Sequence, residues 1–134
     1  MLQKLQSKRG GFTLVEIMII VAIIALLAAI AVPNFLRARK RSQATRILED
    51  LRDIDHALDQ YAIDTSKSTG AAANFGDIKN YLKAGTVLYN TGADVFGDSY
   101  GDTFAVDSQP TIPANAWAAL SDVADASFWS PYSN

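Results

Sequence analysis

The chain has 134 residues, 49% of them apolar, with twelve bases, fourteen acids and no cysteine. That is about one ordinary domain in length, and the lack of cysteine excludes a disulfide framework, a thiolate metal site and a thiol nucleophile. The formal charge of −2 conceals an asymmetry: residues 47–134 carry four bases against thirteen acids, a balance that repels phosphate and argues against nucleic-acid binding.

Residues 1–11 are polar, carry Lys4, Lys8 and Arg9 without an acid, and end in Gly10-Gly11. Residues 12–32 follow with 19 apolar side chains in 21 positions. As a helix this run is roughly 32 Å long, enough for a hydrocarbon core of about 30 Å. Three readings are open: a secretory signal peptide, a plain transmembrane anchor, and a cleaved leader joined to a retained anchor. Ala29-Ile30-Ala31 has the small-x-small form of a signal-peptide cleavage site. Against it stand the length of the apolar run, beyond the usual 7–15 residues, the carboxylate of Glu16, and the basic cluster that follows at Arg37, Arg39, Lys40 and Arg41. A simple anchor explains everything except Glu16. Small residues at Ala22, Ala25, Ala28, Ala29 and Ala31 would also let neighbouring helices approach closely.

A carboxylate inside such a segment is costly unless it has a partner. A cut between Gly11 and Phe12 would create an α-amino group four residues before Glu16, one helical turn away. That amine, in the same chain or in a second copy, would offset the charge.

The run Lys8-Arg9-Gly10-Gly11-Phe12-Thr13-Leu14-Val15-Glu16 resembles the class III prepilin signal of type IV pilins and type II secretion pseudopilins. The resemblance implies that prepilin peptidase cuts after Gly11 and methylates Phe12, that Glu16 pairs with the amine of an adjacent subunit during assembly, and that Pro33 bends the helix. Gly10-Gly11 offers the peptidase an unhindered backbone, and Pro33 removes a helix hydrogen bond. Three bases in the leader against five in residues 37–46 do not set the orientation by charge. The resemblance places the leader in the cytoplasm and the remainder in the periplasm of a bacterial inner membrane.

From Pro33 no further proline or glycine occurs until Gly70, and Ile47, Leu51, Ile54, Leu58 and Tyr61 recur at spacings of four and three. One helix is therefore expected to run to about Asp64 with one buried stripe. Its basic first half (Arg37, Arg39, Lys40, Arg41, Arg46) gives way to acids (Glu49, Asp50, Asp53, Asp55, Asp59). Two readings of these charges compete. One is a solvated face with local pairs such as Asp55 with Arg52. The other sets the bases of one copy against the acids of the next, with the bases meeting lipid headgroups beforehand. His56, the single histidine, completes no triad or metal site.

Residues 65–74 are small and polar and read as a loop. Ten of the thirteen aromatics then occur from Phe75 onward and are expected to build a core against the helical stripe. Residues 75–82 and 113–120 suggest short helices. Residues 86–89, 99–100 and 103–106 suggest β-strands separated by turns at Asn90-Thr91-Gly92, Gly97-Asp98 and Gly101-Asp102. Residues 128–132 are expected to dock the end of the chain.

Asp94-Val95-Phe96-Gly97-Asp98-Ser99-Tyr100 is similar to the Asp-Pro-Trp-Gly-Asn-Pro-Tyr segment of major pseudopilins, with Val95 and Ser99 in place of both prolines. That resemblance implies calcium, and Asp94, Asp98, Asp102, Asp107, Asp122 and Asp125 are suitable hard donors. Their spacing lacks the dense alternation of an EF-hand loop, so no ligand set follows, and no cofactor is otherwise expected.

The expected fold is α+β and type IV pilin-like: a long amino-terminal helix, membrane-spanning in its first half, packed on a small antiparallel sheet. Its divisions are a leader over 1–11, a transmembrane or filament-core helix over 12–33, its amphipathic continuation over 34–64, and a head over 65–134. Function follows as a structural subunit of a helical filament, not an enzyme, since no nucleophile–base constellation is present. A type II secretion pseudopilin is favoured by the 94–100 segment and by the missing cysteine pair. A type IV pilus major pilin, acting in adhesion or motility, and a single-pass membrane-anchored periplasmic binding module are the alternatives. The implied partners are further copies of the chain, prepilin peptidase, inner-membrane assembly-platform proteins and lipid.

Overall fold

The computed structural model describes residues 10–133, so the leader bases Lys4, Lys8 and Arg9 lie outside the described residues. The first helix, α1, spans Leu14–Thr65 with Pro33 inside it, and ends one residue beyond the predicted stop. The chain divides into two units, Met1–Leu36 and Arg37–Asn134.

In the first unit every described residue is exposed. Its helical part holds an 18-residue window of mean hydropathy 3.0 with none of the window buried, so by length and composition it is able to cross a membrane.

In the second unit the predicted stripe forms the spine of the core. Ile47, Leu51, Ile54 and Leu58 are fully buried, with Ala44, Leu48 and Ala57 beside them. Burying four such side chains contributes on the order of 6–12 kcal/mol. Tyr61, the last of the stripe, is half-buried and meets Tyr81 edge-on at 6.3 Å between ring centroids.

The head is α+β, with one two-stranded antiparallel sheet. Strand β1 (Ala72–Asn74) pairs with β2 (Thr103–Ala105) in the register Ala72–Ala105, Ala73–Phe104, Asn74–Thr103. Ala73 and Phe104 are the inward residues of the two strands. Residues 65–74, read as loop from their composition, therefore contain a strand at their end. The bonds Gly70 N–H to Val106 O, Val106 N–H to Ala71 O and Phe75 N–H to Asp102 O extend the pairing on both sides. Three alanine-rich residues carry no period-two signal, and only the partner strand makes them a strand.

Residues 86–89, expected as a strand, are instead the start of a helix, α3 (Val87–Thr91). The Thr86 hydroxyl caps it by accepting from Tyr89 N–H at 3.1 Å, and burial of Leu88 holds it down. Gly92, expected in a hairpin turn, closes this helix at φ +65°, where a Cβ would come within 3.3 Å of the Phe75 ring. Of the expected pair at 99–100, Ser99 makes only an isolated bridge to Ala93.

The predicted short helices are present. Residues 75–82 form α2 (Phe75–Ile78), with Asp77 accepting from Asn74 N–H, and a 3₁₀ turn at Lys79–Tyr81. Residues 113–120 form α4 (Ala114–Leu120), which buries Ala116 and Leu120. A last helix, α5 (Ala126–Trp129), starts at an Asp125 cap and seats Trp129 in the core, with Tyr132 buried after it. Tyr100 and Phe104 are also buried, while Phe75, Tyr81, Tyr89, Trp117 and Phe128 pack at its margin. Phe96 alone of the ten head aromatics is exposed.

Candidate functional site

The candidate assembly segment begins in extended chain. Gly10 and Gly11 are exposed, and a Cβ at either would meet nothing within 4 Å. Phe12 is 83% exposed. Thr13 then caps α1: its hydroxyl accepts from Glu16 N–H at 3.2 Å, and Glu16 Oε2 accepts from Thr13 N–H at 3.0 Å. This reciprocal pair is a capping box. Sequence reasoning took Glu16 only as a charge in need of a cation and missed this role, although Thr13-x-x-Glu16 is its signature. Among the described residues no cation pairs with Glu16, and Oε1 takes no hydrogen bond.

Both charged halves of the later α1 meet the head. Lys40 Nζ lies 2.9 and 3.0 Å from the carboxylate oxygens of Asp122. Arg41 donates to the Val123 carbonyl at 2.6 Å and lies 4.6 Å from the centre of the Phe128 ring. On the acidic half, three head tyrosines donate to helix carboxylates: Tyr100 to Asp50 at 3.0 Å, Tyr132 to Asp55 at 3.1 Å and Tyr81 to Asp64 at 2.9 Å. The expected local pair of Asp55 with Arg52 is replaced by the Tyr132 contact, and Lys40–Asp122 is the ion pair among the described residues. Arg37, Arg39 and Arg46 remain exposed, as do Glu49, Asp53 and Asp59. His56 is exposed at a shallow cavity lined also by Asp53, Gln60, Tyr81, Leu82 and Lys83.

These contacts shift the acids in opposite senses. Burial holds Asp50 above the ordinary carboxylate value, outweighing the Tyr100 hydrogen bond and Arg46. The Lys40 hydrogen bond holds Asp122 below it, and the Ser127 hydroxyl with the Phe128 N–H does the same for Asp125. Burial and then the Asp50 charge push Tyr100 upward, so its hydroxyl stays protonated and donates. Burial ahead of Asp55 raises Tyr132, and the hydrogen bond to Asp64 raises Tyr81.

The segment 94–100 is a tight turn organised by a buried carboxylate. Asp94 Oδ1 accepts from the N–H of Phe96 at 2.8 Å and of Asp98 at 2.9 Å. Oδ2 is buried without a hydrogen-bond partner. Asp98 in turn accepts from Asn115 of α4, and Tyr100 carries the end of the turn to α1. The other four aspartates weighed for calcium serve separate places: Asp102 is exposed, Asp107 accepts from Thr69, Asp122 from Lys40, and Asp125 caps α5. No three His, Asp or Glu side chains among the described residues converge on a metal position.

Fold and site together define a class: an α+β protein built on one helix, apolar and exposed at its start and the spine of a small head further on. The prokaryotic N-terminal methylation motif matches residues 6–32. The type IV wide pilus major component of Thermus thermophilus is 44% identical over 63 residues, covering 47% of this chain and 48% of that protein. Type II secretion system core protein G of Klebsiella pneumoniae is 35% identical over 61 residues, covering 46% and 44%. In both cases the match spans a little under half the relative's length. The type IV major fimbrial protein FimA of Dichelobacter nodosus is 31% identical over 124 residues, covering 87% of this chain and 80% of that protein. No solved structure matches. The chain belongs to the type IV pilin and type II secretion pseudopilin family. None of the names of these relatives is that of an enzyme.

Proposed function

We propose that the chain is a structural subunit of a helical pilus-like filament, specifically a type II secretion pseudopilin. The observation that carries the reading is the start of α1, an apolar window with no buried residue, opening on a glutamate that no cation pairs with among the described residues. Such a surface needs hydrocarbon or other copies of itself. In the inner membrane lipid covers it, with the leader cytoplasmic and the head periplasmic. Prepilin peptidase hydrolyses the Gly11–Phe12 amide, releasing an α-amine that is methylated and stays cationic. The Thr13–Glu16 box holds one carboxylate oxygen at the helix start and leaves Oε1 to accept from the Phe12 amine of the next copy. That pairing lowers the cost of both buried charges, and helix–helix contacts replace lipid as assembly-platform proteins extract the subunit. Pro33 supplies a bend.

The 94–100 turn and several relatives named core protein G support the pseudopilin branch. The fimbrial relative matched over most of this chain favours a second reading, a type IV pilus major pilin. Neighbouring genes for a secretin and a secretion ATPase would favour the first; a retraction ATPase would favour the second. Mass spectrometry of the mature amino terminus tests the common part. A chain beginning at methylated Phe12 is expected, and cleavage after Ala31 overturns the reading.

A further inference from the structure

The head divides the basic cluster of α1 into two sets. Lys40 and Arg41 are held by the Asp122 carboxylate, the Val123 carbonyl and the Phe128 ring. Arg37 and Arg39 are exposed and make no hydrogen bond or ion pair among the described residues. No acid occurs in the sequence from Ile17 to Leu48, and Arg37 directly follows Leu36, the last of the exposed apolar residues before the cluster. We propose that Arg37 and Arg39 bind the headgroups of anionic phospholipids at the surface of the membrane that α1 crosses; this rests on the membrane-spanning reading above.

A guanidinium presents a planar fork of donors that fits phosphate oxygens in pairs. Phosphate occurs in every phospholipid headgroup, so the neighbouring charges select between them. A zwitterionic headgroup would need a negative partner for its ammonium as well, and Asp122, a head acid within the field of Arg37, is already taken by Lys40. An anionic headgroup needs no such partner. Two positions apart on a helix, the arginines project about 200° from one another, so lipid surrounding the helix meets one on each side. The acids of the head would repel the same surface, but a Debye length of about 8 Å confines the contest to charges close to it. Arg46, nine residues on, is about 13 Å further along the axis and lies outside that range.

A second copy is the competing partner, since Glu49, Asp53 and Asp59 are exposed on α1. Copies embedded in one membrane share one depth, however, so Arg37 stands level with Arg37. Arg37 or Arg39 reaches the level of Glu49 of a neighbour only after an axial shift of about 15–18 Å, which the membrane-held state forbids. Lipid is therefore the partner before extraction.

The test uses the full chain reconstituted in phosphatidylcholine bilayers with trace spin-labelled phosphatidylglycerol or phosphatidylcholine. At low salt the protein should prefer the anionic label, by up to about fivefold per arginine, and lose the preference in about 0.5 M salt. R37Q/R39Q should lower it to what the leader bases Lys4, Lys8 and Arg9 supply at the opposite surface, and R46Q should leave it unchanged. The absence of a preference in the wild type, or its survival undiminished in R37Q/R39Q, overturns the proposal. So does a double variant that keeps its lipid preference but loses cross-linking between copies, which would assign the arginines to a second copy. Flotation with pure phosphatidylcholine vesicles separates the two levels. Failure of both chains to float removes the membrane reading and the proposal with it, whereas flotation without anionic preference removes the proposal alone.

Discussion

Thr13 and Glu16 close the first turn of α1 by exchanging two hydrogen bonds, so the same carboxylate that is proposed to guide assembly also starts the helix. The two roles separate by substitution. Thr13→Ala should cost about 1 kcal/mol of local helix stability, visible as faster hydrogen exchange in the first turn with unchanged exchange in the head. Glu16→Ala should be inserted and processed normally yet yield few filaments by electron microscopy, and wild-type yield would remove the pairing argument. At Gly92 the left-handed φ of +65° and the Phe75 ring at 3.3 Å act together. Gly92→Ala is expected to cost about 1–2 kcal/mol, read as a lower thermal midpoint of the full chain in detergent.

Among the elements, the second part of α1 was legible in advance because a buried face repeats every three to four residues and needs no knowledge of its partner. Leu51 is fully buried at the middle of that face, and Leu51→Ala should lose about 2–5 kcal/mol in denaturant melts. The short elements were less legible. Thr86, Val87 and Tyr89 have strand propensity, yet a hydroxyl cap at one end, a left-handed glycine at the other and the buried Leu88 between them outweigh it over five residues. β1 is the reverse case, three residues of poor strand formers held by their partner. Of the site, Gly11, Phe12 and Glu16 stood out because the motif is contiguous. The helix–head contacts did not, since Lys40 meets Asp122 across 82 positions and Tyr132 meets Asp55 across 77.

Over the whole second unit, pH acts through carboxylates shifted in opposite directions. Asp122, held low by Lys40, contributes stability at neutral pH that is lost as pH falls through the ordinary value of 3.8 and below. Asp50, held high by burial, has the opposite sign: its contribution is complete below 3.8 and is lost as pH rises through its raised value. Asp50→Asn should therefore gain in thermal midpoint relative to the wild type between about pH 3 and about pH 7, while Asp122→Asn should lose over the same interval. Thermal melts of the full chain at both pH values check the pair.

The sequence by itself determined the apolar start of α1, its glycine–phenylalanine–glutamate motif, the buried stripe of its second part and the acidic aromatic head, because each is a local pattern or a composition. The tertiary structure alone decided which acids are buried, which bases the head holds and which remain free, and whether a short β-prone run becomes strand or helix. Those outcomes depend on partners far along the chain, and neither propensity nor spacing carries information about a contact that exists only once the chain has folded.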